Sequence, residues 1–388
     1  MSFFKYAKKV IIIFVLIAVI SAASFSATAK EEENTPNFKL ECESAILMEA
    51  QTGTVLYAYN PDKALPPASV TKIMTLLLVM EAIENGRLSY NDTITASAYA
   101  ASMGGSQIFL KEGEEMSAED MIKSVVISSA NDAAVALAEH LCGSEAAFVK
   151  KMNERAKELG MSNTNFENTN GLDDTTYNHV TSALDIALMS RELIKHKDIL
   201  KYSSTWMDTI RNGSFGLTNT NRLVRFYPGA TGLKTGSTDK AKFCVSATAE
   251  RDGMHLICVI MGAPSSNVRN SIATQLLNWG FSTFELFKSN MKISEQIKVL
   301  GGVEDRCHTF CDTFYAVVPK GQTQRIEAKI TIPKSVKAPV YQGDKIGKID
   351  YYLNGNSIGY SDIVSTVDID NIDFWTLFLR VFSKFVIK

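Results

Sequence analysis

Apolar and polar positions change rhythm several times along the chain, and each rhythm predicts an element. An unbroken apolar run over 10–20 follows Lys5, Lys8 and Lys9 and leads into Ala27-Thr28-Ala29. That pattern predicts a signal peptide cleaved after Ala29, the run being short for a membrane-crossing helix. The stretch AILMEAQTGTVLYAYN predicts two strands around a Thr52-Gly53 turn. From PPASVTKIMT through LLLVMEAIENG apolar residues recur at helical spacing and stop at Gly86, and ASAYAASMGGSQIF then reads as a loop beside a site. Helical spacing returns over 118–140 and 145–159, with Gly160 ending the second, and Thr181 is placed to cap SALDIALMSRELIK. Strands are predicted at 243–249 and 255–261 around an ERDG turn, then a helix over 268–279.

After about residue 291 the texture changes. DTFYAVVP, IEAKITIP, KIGKIDYYLNG and SIGYSDIVS alternate in polarity and are separated by Gly, Pro and Asn, which predicts a small all-β domain of roughly 80 residues. The last segment, DFWTLFLRVFSKFVIK, sorts on a helix into two faces. Phe374, Trp375, Leu377, Phe378, Leu379, Val381, Phe382, Phe385 and Val386 share one, and Thr376, Arg380, Ser383, Lys384 and Lys388 the other. This is the pattern of a helix lying in a membrane interface, its basic residues toward anionic headgroups and Asp373 at its N-terminus. The alternative is a terminal helix packed on its own domain.

Composition narrows the class without deciding it. Removing Lys5, Lys8 and Lys9 from 40 basic residues leaves 37 against 42 acidic ones, a formal charge of about −5, which gives no basic footprint for a nucleic-acid partner. Cys42, Cys142, Cys244, Cys258, Cys307 and Cys311 are too few and scattered for a disulfide framework, although a single Cys244–Cys258 bridge after export is open. Cys307, His308 and Cys311 in CHTFC supply three ligands at most, with no second cluster following, so no metal and no cofactor is expected.

The candidate chemistry begins at Ser69 and Lys72, which at i and i+3 on a helix are neighbours about 5–6 Å apart at Cβ. A serine hydroxyl needs a base, and lysine becomes one when burial, nearby positive charge and a helix N-terminus bring its pKa down. S-x-x-K alone is weak evidence, since Ser69 could be a helix cap. Two further motifs change this: Ser129-Ala130-Asn131, where the helical pattern is interrupted, and Lys234-Thr235-Gly236, just before the strand pair. The three occur in the order S-x-x-K, S-D-N, K-T-G of penicillin-recognising serine enzymes, the second with alanine at its centre, a departure that costs little because the work falls on the flanking Ser and Asn.

On these motifs, together with ENTNGLDD, NTNRLV and VRNSIATQLLNWGF, the chain from about Ser44 through Phe281 resembles the low-molecular-mass penicillin-binding proteins, the serine-type D-alanyl-D-alanine carboxypeptidase family. The resemblance implies an α+β fold: a β-lactamase/transpeptidase-like catalytic domain of antiparallel sheet flanked by helices, with a helical subdomain, a small C-terminal all-β domain and a terminal amphipathic helix. The expected divisions are 1–29 signal peptide, 30–290 catalytic domain, 291–370 β-rich domain and 371–388 anchor. Catalytic roles fall on Ser69 as nucleophile, Lys72 as general base and Ser129 as proton relay. Substrate binding falls on Asn131, Lys234, Thr235, Gly236, Ser237 and Arg269, with an oxyanion hole from the Ser69 and Ser237 backbone N–H groups. Arg269 matches a family arginine that pairs with the terminal carboxylate.

The implied partners are peptidoglycan pentapeptide, β-lactams and a membrane surface, and the implied location is the outer face of the cytoplasmic membrane. A β-lactamase and a catalytically silent peptidoglycan-binding protein are the competing readings. Glu167 falls where a β-lactamase keeps its deacylating glutamate, but FENTNGLDD lacks the Glu-x-x-Leu-Asn pattern. His140, His179, His196, His255 and His308 lie near no Ser/Asp pair in a recognisable motif, against a Ser-His-Asp hydrolase. Asp173-Asp174 beside NGL reads as a loop feature.

Overall fold

The computed structural model describes residues 38–174, 176–291 and 296–386, so the expected signal peptide lies outside the described residues. Glu41–Lys388 forms one compact unit; of the other, Met1–Leu40, only residues 38–40 are described. The organising element is a five-stranded antiparallel sheet of β1 (Ser44–Glu49), β2 (Val55–Tyr59), β3 (Ala230–Thr238), β4 (Lys242–Arg251) and β5 (Met254–Ala263), in spatial order β2-β1-β5-β4-β3. Its central strands read as continuous apolar runs because both faces are covered. Ile46, Met48, Ile257 and Val259 join the main core, whereas Leu47 and Leu256 close on Gly280 of α6 (Ser266–Thr283) on the other face.

The main core is shared chiefly with the helices α1 (Lys72–Glu84), α2 (Ala118–Ile127), α3 (Asn131–Cys142), α4 (Glu145–Glu158) and α5 (Ala183–Leu193). Helix α1 is buried around nearly its whole circumference by Ile73, Met74, Leu76, Leu77, Val79, Met80 and Ala82, the mark of a central helix. Its first residue, Lys72, is fully buried as well.

Several expectations shift in detail. The cap of α5 is Ser182, whose hydroxyl accepts the Asp185 N–H at 3.1 Å; Thr181 instead pairs with Leu65 in an isolated bridge. The helical pattern over 118–140 breaks into α2 and α3, with Ser129 between them at φ +63. A hairpin of Met207–Ile210 and Phe215–Thr218 and a short helix at Leu223–Phe226 went unanticipated. Cys244 lies opposite Gly236 and Cys258 opposite Ala247, so the two are not cross-strand partners, and all six cysteines are free.

Beyond the catalytic sheet, Phe284–Lys288 pairs with Tyr315–Pro319. A six-stranded sheet follows, ordered Ile326–Thr331, Lys345–Leu353, Asn356–Ser365, Arg306–Cys311, Gln296–Leu300 and Ser335–Lys337. Its cores are small, one around Ile297, Val299 and Ile346 and another around Ile349, Tyr351 and Ile363, as befits a minor domain.

The chain ends in α7 (Phe374–Val386), capped by Asp373, which accepts the N–H groups of Trp375 and Thr376 at 2.8 and 2.9 Å. Phe374, Trp375, Phe378 and Phe382 are exposed. Arg380, expected toward headgroups, instead donates to the carbonyls of Gly302 and Val303 in the β-domain. Lys388 lies outside the described residues. No described helix is long and apolar enough to cross a membrane.

Candidate active site

Ser69 sits on a single 3₁₀ turn, Ala68–Thr71, leading directly into α1. Two glycines close on this turn. A Cβ at Gly171 (φ +84) would stand 1.9 Å from the Ala68 carbonyl oxygen, and one at Gly236 would stand 2.8 Å from the Pro67 oxygen and 2.9 Å from the Ser69 nitrogen. Only residues without a side chain let loop 165–181 and strand β3 approach so closely. Ala68 itself holds φ +50, uncommon for a residue with a Cβ.

Lys72 Nζ is 3.0 Å from Ser69 Oγ, 2.5 Å from Asn131 Oδ1 and 2.8 Å from the Asn170 carbonyl oxygen. A neutral amine fits these contacts, donating to Asn131 and Asn170 and offering its lone pair to the serine proton. The electrostatics favour that state: burial first, then the charge of Lys234, hold Lys72 well below the ordinary lysine range, with Asp132 opposing in part. Asp132 is itself buried and spent on loop backbone, accepting the N–H groups of Ile108 and Leu110 at 3.1 and 3.0 Å.

Lys234 lies on β3, 1% exposed, and burial together with Arg269 pushes it down to about 7. Its amine donates to the Thr235 carbonyl at 2.9 Å, and the Thr235 hydroxyl donates to Thr220 at 2.7 Å. Arg269, on α6, is buried rather than solvated; it donates to Asn270 Oδ1 at 3.1 and 3.0 Å and to the Cys244 carbonyl, on the strand next to Gly236, at 3.3 Å. Burial lowers the guanidinium to about 10. Ser237 follows on β3 and is exposed.

Ser129 is 4% exposed, and its hydroxyl has no hydrogen-bond partner among the described residues. A buried unpaired hydroxyl costs about 1–3 kcal/mol, so one retained here, at a left-handed φ, is a candidate for a working group. Asn131 lies beside the lysine: its Oδ1 accepts a hydrogen bond from Lys72 and its Nδ2 donates to the Gly104 carbonyl at 2.7 Å, so the side chain also ties the lysine to a loop.

Sequence reasoning passed over His179. Its Nδ1 accepts the Glu167 N–H at 3.0 Å, which leaves Nε2–H to donate to Thr71 Oγ1 at 2.7 Å, two residues from Ser69. Burial pushes the imidazole to about 4 against the pull of Glu167, Asp173 and Glu145, so it stays neutral at physiological pH. Both Glu167 oxygens are engaged by loop backbone, accepting the N–H groups of Tyr177 and Asn178. The sequence signal available for His179 was its place just before Thr181-Ser182, where loop 165–181 returns to a helix.

A family profile described as D-alanyl-D-alanine carboxypeptidase matches residues 28–265, and one described as penicillin-binding protein 5, C-terminal domain, matches residues 281–371. D-alanyl-D-alanine carboxypeptidase DacF of Bacillus subtilis is 40% identical over 364 residues, covering 92% of this chain and 93% of its own. Penicillin-binding protein 5 from Haemophilus influenzae superposes with TM-score 0.76 at 31% identity, over 87% of this chain and 99% of its own. Penicillin-binding protein D2 from Listeria monocytogenes, solved in its ampicillin-bound form, gives TM-score 0.59 at 34% identity, over 63% of this chain and all of its own.

Proposed function

The chain belongs to the D-alanyl-D-alanine carboxypeptidase family of serine peptidases, and on that premise we propose that Ser69, Lys72 and Ser129 carry its reaction. The protein is a cell-wall hydrolase that removes the terminal D-alanine from peptidoglycan stem pentapeptides. Ser69 Oγ attacks the carbonyl of the penultimate D-alanine while its proton passes to neutral Lys72. The backbone N–H groups of Ser69 and Ser237 hold the oxyanion. Ser129 relays the proton to the departing D-alanine amine, and water then releases the acyl group by the reverse path. Lys234 and Thr235, with the charge of Arg269 behind them, favour the free carboxylate that makes the enzyme an exopeptidase. Asn131 fixes Lys72, and Gly236 leaves the strand edge open to substrate.

The observation that carries this reading is the Lys72 amine, fully buried and 3.0 Å from Ser69 Oγ. β-Lactams acylate the same serine because they present a strained amide in place of the D-alanyl-D-alanine terminus. The enzyme acts on the cell-wall side of the membrane, and the exposed aromatic face of α7 is the part we assign to the membrane surface. The discriminating assay sets penicillin turnover beside D-alanine release from diacetyl-lysyl-D-alanyl-D-alanine. Release of D-alanine with slow antibiotic turnover is expected; rapid turnover without release would make the protein a β-lactamase.

A further inference from the structure

Glu145, the first residue of α4, spends neither carboxylate oxygen on its own helix, whose first turn is capped by Ser144 accepting the Ala147 N–H at 3.2 Å. Oε1 reaches loop 165–181, where it accepts the Thr169 N–H at 2.9 Å and the Thr169 hydroxyl at 2.7 Å. Oε2 reaches segment 97–104, where it accepts the Tyr99 hydroxyl at 2.7 Å. That bond is the first of the causes that push the phenol up to about 12, ahead of burial and the carboxylate charge, so the tyrosine stays the donor. Each segment then supplies one of the groups that hold Lys72. After Thr169 comes Asn170, whose carbonyl accepts from Lys72 Nζ at 2.8 Å, and the Thr169 carbonyl accepts the Thr75 hydroxyl of α1 at 2.6 Å. Beyond Tyr99, the Gly104 carbonyl accepts Asn131 Nδ2 at 2.7 Å, and Asn131 Oδ1 accepts from Lys72 at 2.5 Å. Asn170 Nδ2 also meets Met103 Sδ at 3.7 Å, which joins the two segments directly.

Resting on the function above, we propose that Glu145 is a positioning residue for the catalytic lysine: through Thr169 and Tyr99, its two oxygens fix the two acceptors between which the Lys72 amine is held. A neutral amine has two N–H groups and one lone pair. With the N–H groups directed to Asn170 and Asn131, the lone pair is left for the Ser69 proton, so the aim of the base follows from where those acceptors stand. Thr169 is fully buried and Asn170 nearly so, and the carboxylate bonds the Thr169 backbone itself, which leaves the neighbouring carbonyl little room to shift. A displacement of about 1 Å can cost about 10²-fold in rate. An acid in a first helical turn is favourable to the helix dipole, but that role asks for no partner outside the helix. Nor does the bonding depend on charge. An amide at position 145 would keep an oxygen for Thr169 and turn its NH2 toward the Tyr99 oxygen, so glutamine satisfies the same geometry.

The test follows penicillin acylation of the full-length enzyme by stopped flow, which separates the dissociation constant before acylation from the acylation rate constant, with folding of each variant checked by circular dichroism. Glu145→Ala should lower the rate constant by at least about tenfold and leave the dissociation constant within about twofold. Glu145→Gln should rescue the rate to within about threefold of the unaltered enzyme. Tyr99→Phe removes one hydroxyl from an exposed ring and leaves the Thr169 arm in place, so it should lower the rate constant by about threefold. A glutamine variant that falls as far as the alanine variant overturns the proposal, since charge and not the two-armed bonding would then be at work. So does a loss confined to the dissociation constant, or a folded Glu145→Ala that acylates at the unaltered rate. Should Glu145→Ala not fold, Tyr99→Phe decides, and an unchanged rate there overturns the proposal. Failure of penicillin to acylate the unaltered enzyme at Ser69 would instead overturn the function on which the proposal rests.

Discussion

A lysine amine becomes a useful base only where its charged form is made expensive, and here burial and a neighbouring cation do that to two lysines in turn. Lys72 and Lys234 are both buried; the charge of Lys234 lowers Lys72 further, and that of Arg269 lowers Lys234. Removing the Lys234 charge therefore raises the Lys72 pKa, and Lys234→Gln should move the acid limb of penicillin acylation to higher pH, read from stopped-flow rates. Stability responds with a definite sign. Lys234 titrates near 7 folded against an ordinary 10.5, so the folded state binds fewer protons between those values. The cost of burying its charge is complete below about pH 7 and relieved as pH rises toward 10.5. Lys234→Met should accordingly gain most over the unaltered protein below pH 7 and lose that advantage at alkaline pH, measured by urea unfolding. At Gly236 the argument is steric: Gly236→Ala pushes a methyl onto the Pro67 carbonyl and the Ser69 amide, and acylation should fall by at least about 10²-fold, the cost of an oxyanion donor.

At the scale of elements, the site depends on loop 165–181 being held against the first turn of α1. Three bonds do this: Lys72 to the Asn170 carbonyl, Thr75 to the Thr169 carbonyl at 2.6 Å, and His179 to Thr71. His179→Ala removes one and leaves the Glu167 N–H unpaired, so we expect about 1–3 kcal/mol lower stability and faster amide exchange over 165–181. What was legible in the sequence follows the same division between local and distant causes. Ser69 and Lys72 could be read because i, i+3 on a helix is a local relation, and α1 could be read from its apolar density. The Asn170 carbonyl and His179 could not, because their partners lie 98 and 108 positions away and no local spacing encodes the meeting. The Met207–Ile210 and Phe215–Thr218 hairpin escaped notice because its strands are four residues long, too short for alternation to show. Thr181 was misread as the cap because its neighbour Ser182 satisfies the same preference one position later.

For the whole molecule, a catalytic body and a smaller β-domain end in a helix with an exposed aromatic face. Arg380 binds the Gly302 and Val303 carbonyls, which ties α7 to the β-domain; under the membrane assignment proposed for α7, that bond would set the angle at which the enzyme meets a surface. A chain ending at residue 372 should lose binding to phosphatidylglycerol vesicles in co-sedimentation while keeping its kcat/KM on the soluble tripeptide. Arg380→Ala should keep vesicle binding but slow hydrolysis of membrane-tethered peptidoglycan, because the orientation is no longer held. The measurement closest to the central claim is peptide mapping by mass spectrometry of the protein after brief exposure to penicillin. The adduct should lie on the peptide containing Ser69, be absent from Ser69→Ala, and form far more slowly in Lys72→Ala at neutral pH. An adduct on another serine, or one that persists at full yield in Ser69→Ala, would contradict the account.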